Sequence, residues 1–336
     1  MRFRKLGAKG PDITTVGFGA WAVGGPWQFG WGPVDDEESI TAIRHAIESG
    51  INWIDTAAVY GLGHSEEVVG RAVAPFEVGS DVYVFTKCGR SWYASEGDEV
   101  VNDLRPESIR FECEQSLKRL GIERIDLYQF HWADFITGTA VDDSWATMQA
   151  LAEEGKIRWA GVCNFDVELL ERCAPVGHID SLQPPLSMLK RGALHEVIPW
   201  SLKNRTGVIV YSPMQNGLLT GAFHAARLES LAEDDWRRGS PEFQEPKFSQ
   251  TMALVERLRP IASDVGCNLA QLAIAWTLAV PGVTGAIVGA RSPDQVDGWI
   301  GASDLDLSSD ALNEIDKAIN DTGAGSTDPP AARPRG

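Results

Sequence analysis

Four side chains able to move a proton together stand near the ends of apolar runs in this chain. Asp55 closes "INWID", Lys87 closes "VYVFTK", His131 follows "IDLYQF", and Tyr60 comes shortly after Asp55 in "TAAVYGLG". A tyrosine normally titrates near ~10, and moving its titration tenfold in proton affinity takes ~1.4 kcal/mol of differential interaction between its two forms. An ammonium beside it favours the phenolate, so Lys87 is expected to tune Tyr60 downward, while Asp55 keeps Lys87 charged and aimed. A neutral His131 can donate a hydrogen bond to a substrate carbonyl oxygen and polarise it. Taken singly, each of these residues reads equally well as a strand-end cap. An acid, a lysine, a histidine and a tyrosine converging on one mouth do not. The electron source is missing from the set, because no metal-ligand spacing such as HxH or HExxH occurs.

The elements that must position these residues repeat along the chain. After a leading hairpin ("MRFRKLG", a Gly-Pro-Asp turn, "ITTVGFGAW"), apolar runs appear at "INWID", "VYVFTK", "IDLYQFHW", "IRWAGVC", "IDSLQ", "GVIVYSP" and "VTGAIVGA". Each is followed by a helical segment. Two of these are "DDEESITAIRHAIESG", capped by Asp35 or Asp36 with Gly50 beyond its end, and "RPESIRFECEQSLKRLG", with Pro106 in its first turn and Gly121 as its C-cap. Strand then helix, repeated about eight times, predicts a (β/α)8 TIM barrel with an N-terminal β-hairpin and extended βα loops at 21–35, 88–105 and 214–248. Residues 1–320 are expected to form a single barrel domain, and 321–336 a disordered tail. "GFGAWA" at 17–22 matches a dinucleotide fingerprint, but the glycines and prolines of "VGGPWQFGWGP" cannot open the helix that fingerprint needs.

Such barrels gather their chemistry at the C-terminal strand ends. There the sequence also offers Asn164, Gln183, Tyr211, Ser212 and Arg291. A net charge of −17 speaks against nucleic-acid or anionic-membrane binding. No apolar stretch approaches the ~20 residues of a membrane span. Five cysteines without CxxC spacing, and a start lacking an apolar signal core, predict a reduced, cytoplasmic protein.

At this point the motifs carry a family likeness. "NWIDTAAVYGLGHSEEVVGRAV", "VFTKCG", "IDLYQFHW", "GVCNF", "QPPLSML", "YSPMQNGLLTG" and "IVGARSPDQV" together resemble an aldo-keto reductase, in order and approximate spacing, from about residue 3 to 320. The resemblance implies reduction of an aldehyde or ketone by NADPH, with NADH possible, on a small-molecule carbonyl substrate. It makes Tyr60 the general acid, with Asp55, Lys87 and His131 completing a tetrad. It puts Asn164 and Gln183 on the nicotinamide carboxamide and Tyr211 against its ring. The loop holding Ser212, Pro213, Gln215, Gly217, Leu218 and Gly221 would cradle the pyrophosphate through backbone N–H groups, with Gly289 alongside. Arg291 and Gln295 would meet the adenosine 2′-phosphate. The chain departs from the family at Cys163, where serine is usual, at Ala222, where lysine is common, and at Gly298-Trp299, where many members carry Glu-Asn.

Trp21 and Trp132 abut strand ends and read as substrate-pocket walls; Trp27, Trp31 and Trp92 carry that signal more weakly. His64 reads as a turn residue. Two other functions fit the same barrel. One is a Schiff-base lyase with Lys87 as nucleophile, which needs a desolvated, uncharged lysine that Asp55 opposes. The other is a cofactor-binding, redox-sensing subunit for a partner protein. Neither substrate identity nor oligomeric state is legible.

Overall fold

A computed structural model of the protein describes residues 1–27, 30–93, 99–232 and 235–325. Two short strands, β1 (Phe3–Lys5) and β2 (Asp12–Thr14), pair antiparallel as the leading hairpin. The apolar runs then supply β3 (Val16–Gly19), β4 (Trp53–Asp55) and β5 (Tyr83–Cys88). After β5 the chain folds a small antiparallel pair, β6 (Arg90–Ser91) with β7 (Val101–Asn102). β8 (Ile125–Phe130), β9 (Ile157–Cys163), β10 (Ser181–Gln183), β11 (Gly207–Val210) and β12 (Val283–Gly289) follow. Eight strands close a parallel barrel in the order β10-β11-β12-β3-β4-β5-β8-β9, which is the (β/α)8 TIM barrel. Crossover helices cover its outer face, so β8 is buried along its whole length, its polar Asp126 and Gln129 included.

The helix signals fall where the sequence puts them. The Asp35 carboxylate accepts from the Glu37 and Glu38 amides at 2.8 and 3.1 Å at the head of the helix Asp36–Glu48. Pro106 opens the helix Pro106–Leu120, and Gly121 ends it. The fingerprint-like "GFGAWA" is barrel strand followed by a single 3-10 turn, Ala20–Val23, so it opens no long helix. The last helix, Ser309–Thr322, runs past the expected boundary at 320. Ala324 is buried beyond it, and the Gly325 carbonyl accepts from Arg191 Nη2 at 3.1 Å, so 321–325 are packed rather than loose. The remainder of the expected tail, 326–336, lies outside the described residues.

What positions the site is the interior of the barrel. Successive side chains of a strand point to opposite faces. Trp53, Phe85, Leu127, Ile209 and Ile287 form one inward apolar cluster, closed from below by Leu6 and Ile13 of the hairpin. The Trp53 indole fills much of this layer, packing 5.4 Å from the Phe85 ring and donating from Nε1 to the Thr14 carbonyl at 2.8 Å. It needs Gly17 opposite, where a Cβ would come within 2.1 Å of the ring. Two residues further along the same strands, the same face carries Asp55, Lys87, Gln129, Tyr211 and Gly289. A polar layer therefore stands directly above an apolar one, at the C-terminal mouth.

Candidate active site

Lys87 is the centre of the polar layer. Its Nζ donates to Asp55 Oδ1 at 2.5 Å, to the Thr56 carbonyl at 2.7 Å and to Tyr60 Oη at 3.4 Å, and its charge lies 5.1 Å from the Tyr60 ring centre. The other Asp55 oxygen accepts from Gln183 Nε2 at 2.9 Å and from Gln129 Nε2 at 3.4 Å. With Lys87 and Asp55 only 1% and 2% exposed, these contacts are what makes the buried ion pair tolerable. Because Tyr60 Oη accepts from Lys87, its own proton is available to the cavity. Tyr60 is aimed by a tight turn in which Gly61 takes a φ of +63° and abuts the Gly24 backbone, too close for any side chain. His131 follows β8, its N–H bonded to the Cys88 carbonyl at 2.9 Å and its ring edge-on to Tyr60 at 5.7 Å. Asn164 Nδ2 donates to the His131 carbonyl at 3.0 Å, and Tyr211 Oη donates to Asn164 Oδ1 at 2.9 Å. The structure thus brings together all four tetrad candidates and three of the expected cofactor residues in one network.

The electrostatics differ from the sequence expectation at Tyr60. Burial raises the phenol, Lys87 pulls it back only in part and Asp55 adds to the rise, leaving it at about 12 rather than below its ordinary value. Lys87 is also raised, for a different reason: burial alone would lower the ammonium, but Asp55 and Tyr60 outweigh it and hold the pKa above normal. Burial pushes His131 well below its usual value, helped by the charges of Lys87 and Arg90, so the imidazole is neutral. Burial likewise raises the Cys163 thiol, which makes it inert at neutral pH.

Above this layer opens a cavity of about 980 Å³. One side of its wall comes from loops after β3, β4, β5 and β8 and includes Tyr60, Arg90, His131 and the expected Trp21 and Trp132. The other side, after β9 to β12, includes Asn164, Gln183, Tyr211, Ser212 and Pro213. Gln215, Gly217, Gly289, Arg291 and Gln295 continue that wall. Lys87, Leu218 and Gly221 do not line it; the Leu218 side chain is buried with Phe223, Phe243 and Phe248. The loop's amides are also not all free to cradle an anion. Gly217 and Leu218 donate to the Met214 and Gln215 carbonyls at 3.2 and 3.1 Å. Those of Met214 and Asn216 have no acceptor among the described residues, and the left-handed φ values at Ser212, Gln215, Asn216 and Gly217 form the kind of backbone concavity that binds phosphates. Arg291 makes no ion pair with Asp294 among the described residues, while its amide donates to Gln295 Oε1 at 2.9 Å. A cavity lined by a backbone nest and by an arginine with no ion pair among the described residues fits an extended dinucleotide.

Sequence reasoning missed three residues here. Gln129 is inward-facing by simple period-two alternation from Leu127, which was the available signal. Trp236 lies within 6 Å of both Trp21 and Trp31, at 5.6 and 5.9 Å between ring centres, but comes from the long loop 214–248, where nothing local marks it. Arg90 follows Lys87 in a loop whose fold the sequence does not reveal. Trp27 and Trp31 also line the cavity, whereas Trp92 stacks on Tyr93 at 4.5 Å outside it. His64 heads the helix His64–Val73 and bonds Asp36 at 2.9 Å. Among the described residues no cluster could hold a metal ion, and no helix is long and apolar enough to cross a membrane.

This geometry is matched by known proteins along nearly the whole chain. The profile of the Aldo/keto reductase family matches residues 15–320. Aldo-keto reductase YhdN of Bacillus subtilis (strain 168) is 32% identical over 323 residues, covering 96% of this chain and 95% of its own. The NADH-specific methylglyoxal reductase of Escherichia coli (strain K12) is 34% identical over 315 residues, covering 90% and 94%. Among solved structures, the glycerol dehydrogenase AKR11B4 of Gluconobacter oxydans superposes with a TM-score of 0.85 at 35% identity, over 99% of this chain and 98% of that one. A barrel with a matching order of strand-end motifs, shared at full length with such relatives, leaves one assignment: the chain belongs to the aldo/keto reductase family.

Proposed function

We propose that this protein reduces an aldehyde or ketone to the alcohol, with Tyr60 as proton donor and a reduced nicotinamide dinucleotide, preferably NADPH, as the second substrate. The observation that carries the reading is the buried chain Asp55–Lys87–Tyr60 ending at the cavity beside a neutral His131. When bound, the dinucleotide supplies the hydride. His131 donates a hydrogen bond to the carbonyl oxygen, which fixes the acceptor and draws charge toward it. Tyr60 is protonated at rest, because burial holds it at about 12, and gives up its proton as negative charge develops on that oxygen. Lys87 then stabilises the phenolate, and Asp55, held by Gln183 and Gln129, keeps Lys87 in place. Asn164, Gln183 and Tyr211 would orient the nicotinamide, and the Ser212–Gly217 nest the pyrophosphate.

NADPH is favoured because Arg291 has no ion pair among the described residues, in a chain of net charge −17, and stands before the helix Pro293–Ile300, where a dianionic 2′-phosphate would otherwise be repelled. One relative is named NADH-specific, so this preference is the finest point of the proposal. The five free cysteines support a cytoplasmic setting. The lyase alternative is disfavoured: Lys87 is ion-paired, its pKa is raised, and it does not line the cavity. Replacing Tyr60 by Phe is expected to lower carbonyl reduction at least ~100-fold, the low end for a positioned general acid, while dinucleotide binding persists. Near-normal turnover in that variant would remove Tyr60 from the chemistry.

A further inference from the structure

Arg90 lies three residues beyond Lys87, in the short β6–β7 pair that follows β5, and lines the cavity. Its Nη1 donates to Asn102 Oδ1 at 2.9 Å, and Asn102 Nδ2 donates in turn to the Ala133 carbonyl at 3.0 Å, in the segment that carries His131 and Trp132. The guanidinium is thereby braced between two strand-end loops on the cavity wall, in the half that holds Tyr60 and His131. A guanidinium has five N–H donors. One is used on Asn102, and among the described residues no carboxylate lies within ion-pairing distance of the rest. The other cavity arginines are differently placed. Arg237 is paired with Asp235 and stacked on Trp31 at 4.6 Å, Arg227 donates to the Ala222 carbonyl, and Arg291 belongs to the dinucleotide half. Asp55 is committed to Lys87. In a strongly acidic chain, one braced arginine with no carboxylate partner among the described residues faces the reacting end of the cavity.

We propose that Arg90 anchors the substrate, and that the preferred substrates are carbonyl compounds carrying a carboxylate, received by the free edge of the guanidinium while Trp21, Trp27, Trp31 and Trp132 enclose the body of the molecule. The fork of remaining donors suits a planar carboxylate, and the aromatic walls exclude the water that would weaken the pair. This inference rests on the reductase reading for its chemistry but not for its binding.

The test compares succinic semialdehyde, adipic semialdehyde and para-carboxybenzaldehyde with their methyl esters in wild type, Arg90→Gln and Arg90→Lys. Wild type should show a higher kcat/KM for the acid in at least one pair, through KM. Arg90→Gln should lower that acid-to-ester ratio roughly ten- to a hundredfold, as loss of a charged hydrogen bond predicts. Arg90→Lys, which keeps the charge and loses the fork, should fall between. No acid preference in any wild-type pair, or an equal loss on acids and esters, overturns the anchor and leaves the reductase reading intact. Binding of para-(hydroxymethyl)benzoate against benzyl alcohol, followed by tryptophan fluorescence, reports the anchor without turnover. If no aldehyde is reduced yet the acid binds in an Arg90-dependent way, the reductase reading fails and the anion site stands.

Discussion

Replacing Lys87 by Met separates the structural from the chemical role of the ammonium. The substitution keeps the length of the side chain but leaves the Asp55 carboxylate, 2% exposed, with only the amides of Gln183 and Gln129 for partners. Breaking a buried pair on one side typically destabilises by ~3–5 kcal/mol. With an unfolding entropy of ~2.1 cal/mol/K per residue, the 336-residue chain has ~0.7 kcal/mol/K, so the melting temperature should fall by ~4–7 °C. Removing both charges, in Asp55→Asn/Lys87→Met, leaves no orphaned ion, and stability should return to near wild type or above it. Turnover should not return, because nothing then stabilises the Tyr60 phenolate: both variants should stay at least ~100-fold below wild type. Calorimetric melts and the loss of reduced nicotinamide absorbance with a saturating aldehyde measure the two effects on the same samples. A Lys87→Met protein melting with wild type would show that Asp55 is not stranded. A double variant turning over like wild type would refute the tuning role of Lys87.

Arg291→Ala is expected to weaken NADPH binding ten- to a hundredfold, the equivalent of ~1.5–3 kcal/mol, with little change for NADH; an equal effect on both in a fluorescence titration would show that Arg291 does not read the 2′-phosphate. Borohydride added with a carbonyl substrate and no dinucleotide should leave Lys87 unmodified by mass spectrometry, since it is charged and walled off from the cavity; a reduced imine there would reinstate the lyase. Glu112, buried beneath the β5 turn with its Oε1 accepting the Gly89 amide at 3.1 Å, is raised by burial to about 8. Folded chains therefore keep a proton that unfolded ones lose above ~4.3. Stability should thus decline as pH rises through this window, and Glu112→Gln should flatten that decline by up to a few kcal/mol at pH ~8. Urea midpoints that shift in parallel with pH for both proteins would disprove it.

The barrel was legible because two local signals, strand periodicity and helix punctuation, agree with the global fold at nearly every unit. Asp35, Pro106 and Gly121 act where they are written, and each apolar run becomes a strand. The placement of the strand-end candidates was legible for the same reason: a residue that ends an inward-facing run on a parallel strand has only the barrel mouth to enter. What escaped were properties created by folding at a distance. Trp236 reaches Trp21 and Trp31 from some two hundred residues away in sequence, and Arg90 meets Asn102 and Ala133 through a loop pairing that no turn motif announces.

The direction in which Tyr60 moves was hidden for a related reason. A neighbouring ammonium is visible in the sequence, whereas the depth at which the pair is buried is not, and depth dominates here. The upward direction makes better chemical sense of the site. A phenol drawn below its ordinary pKa would spend part of its time ionised, with no proton to give. In the proposed mechanism, burial keeps Tyr60 neutral until charge appears on a substrate oxygen, and Lys87 limits the energetic penalty of the phenolate that follows. On that proposal Lys87 serves the state after proton transfer rather than the state before it. The same proposal gives Asp55, Gln129 and Gln183, which are bonded to one another and to Lys87, a shared task of holding one cation still while the charge beside it changes.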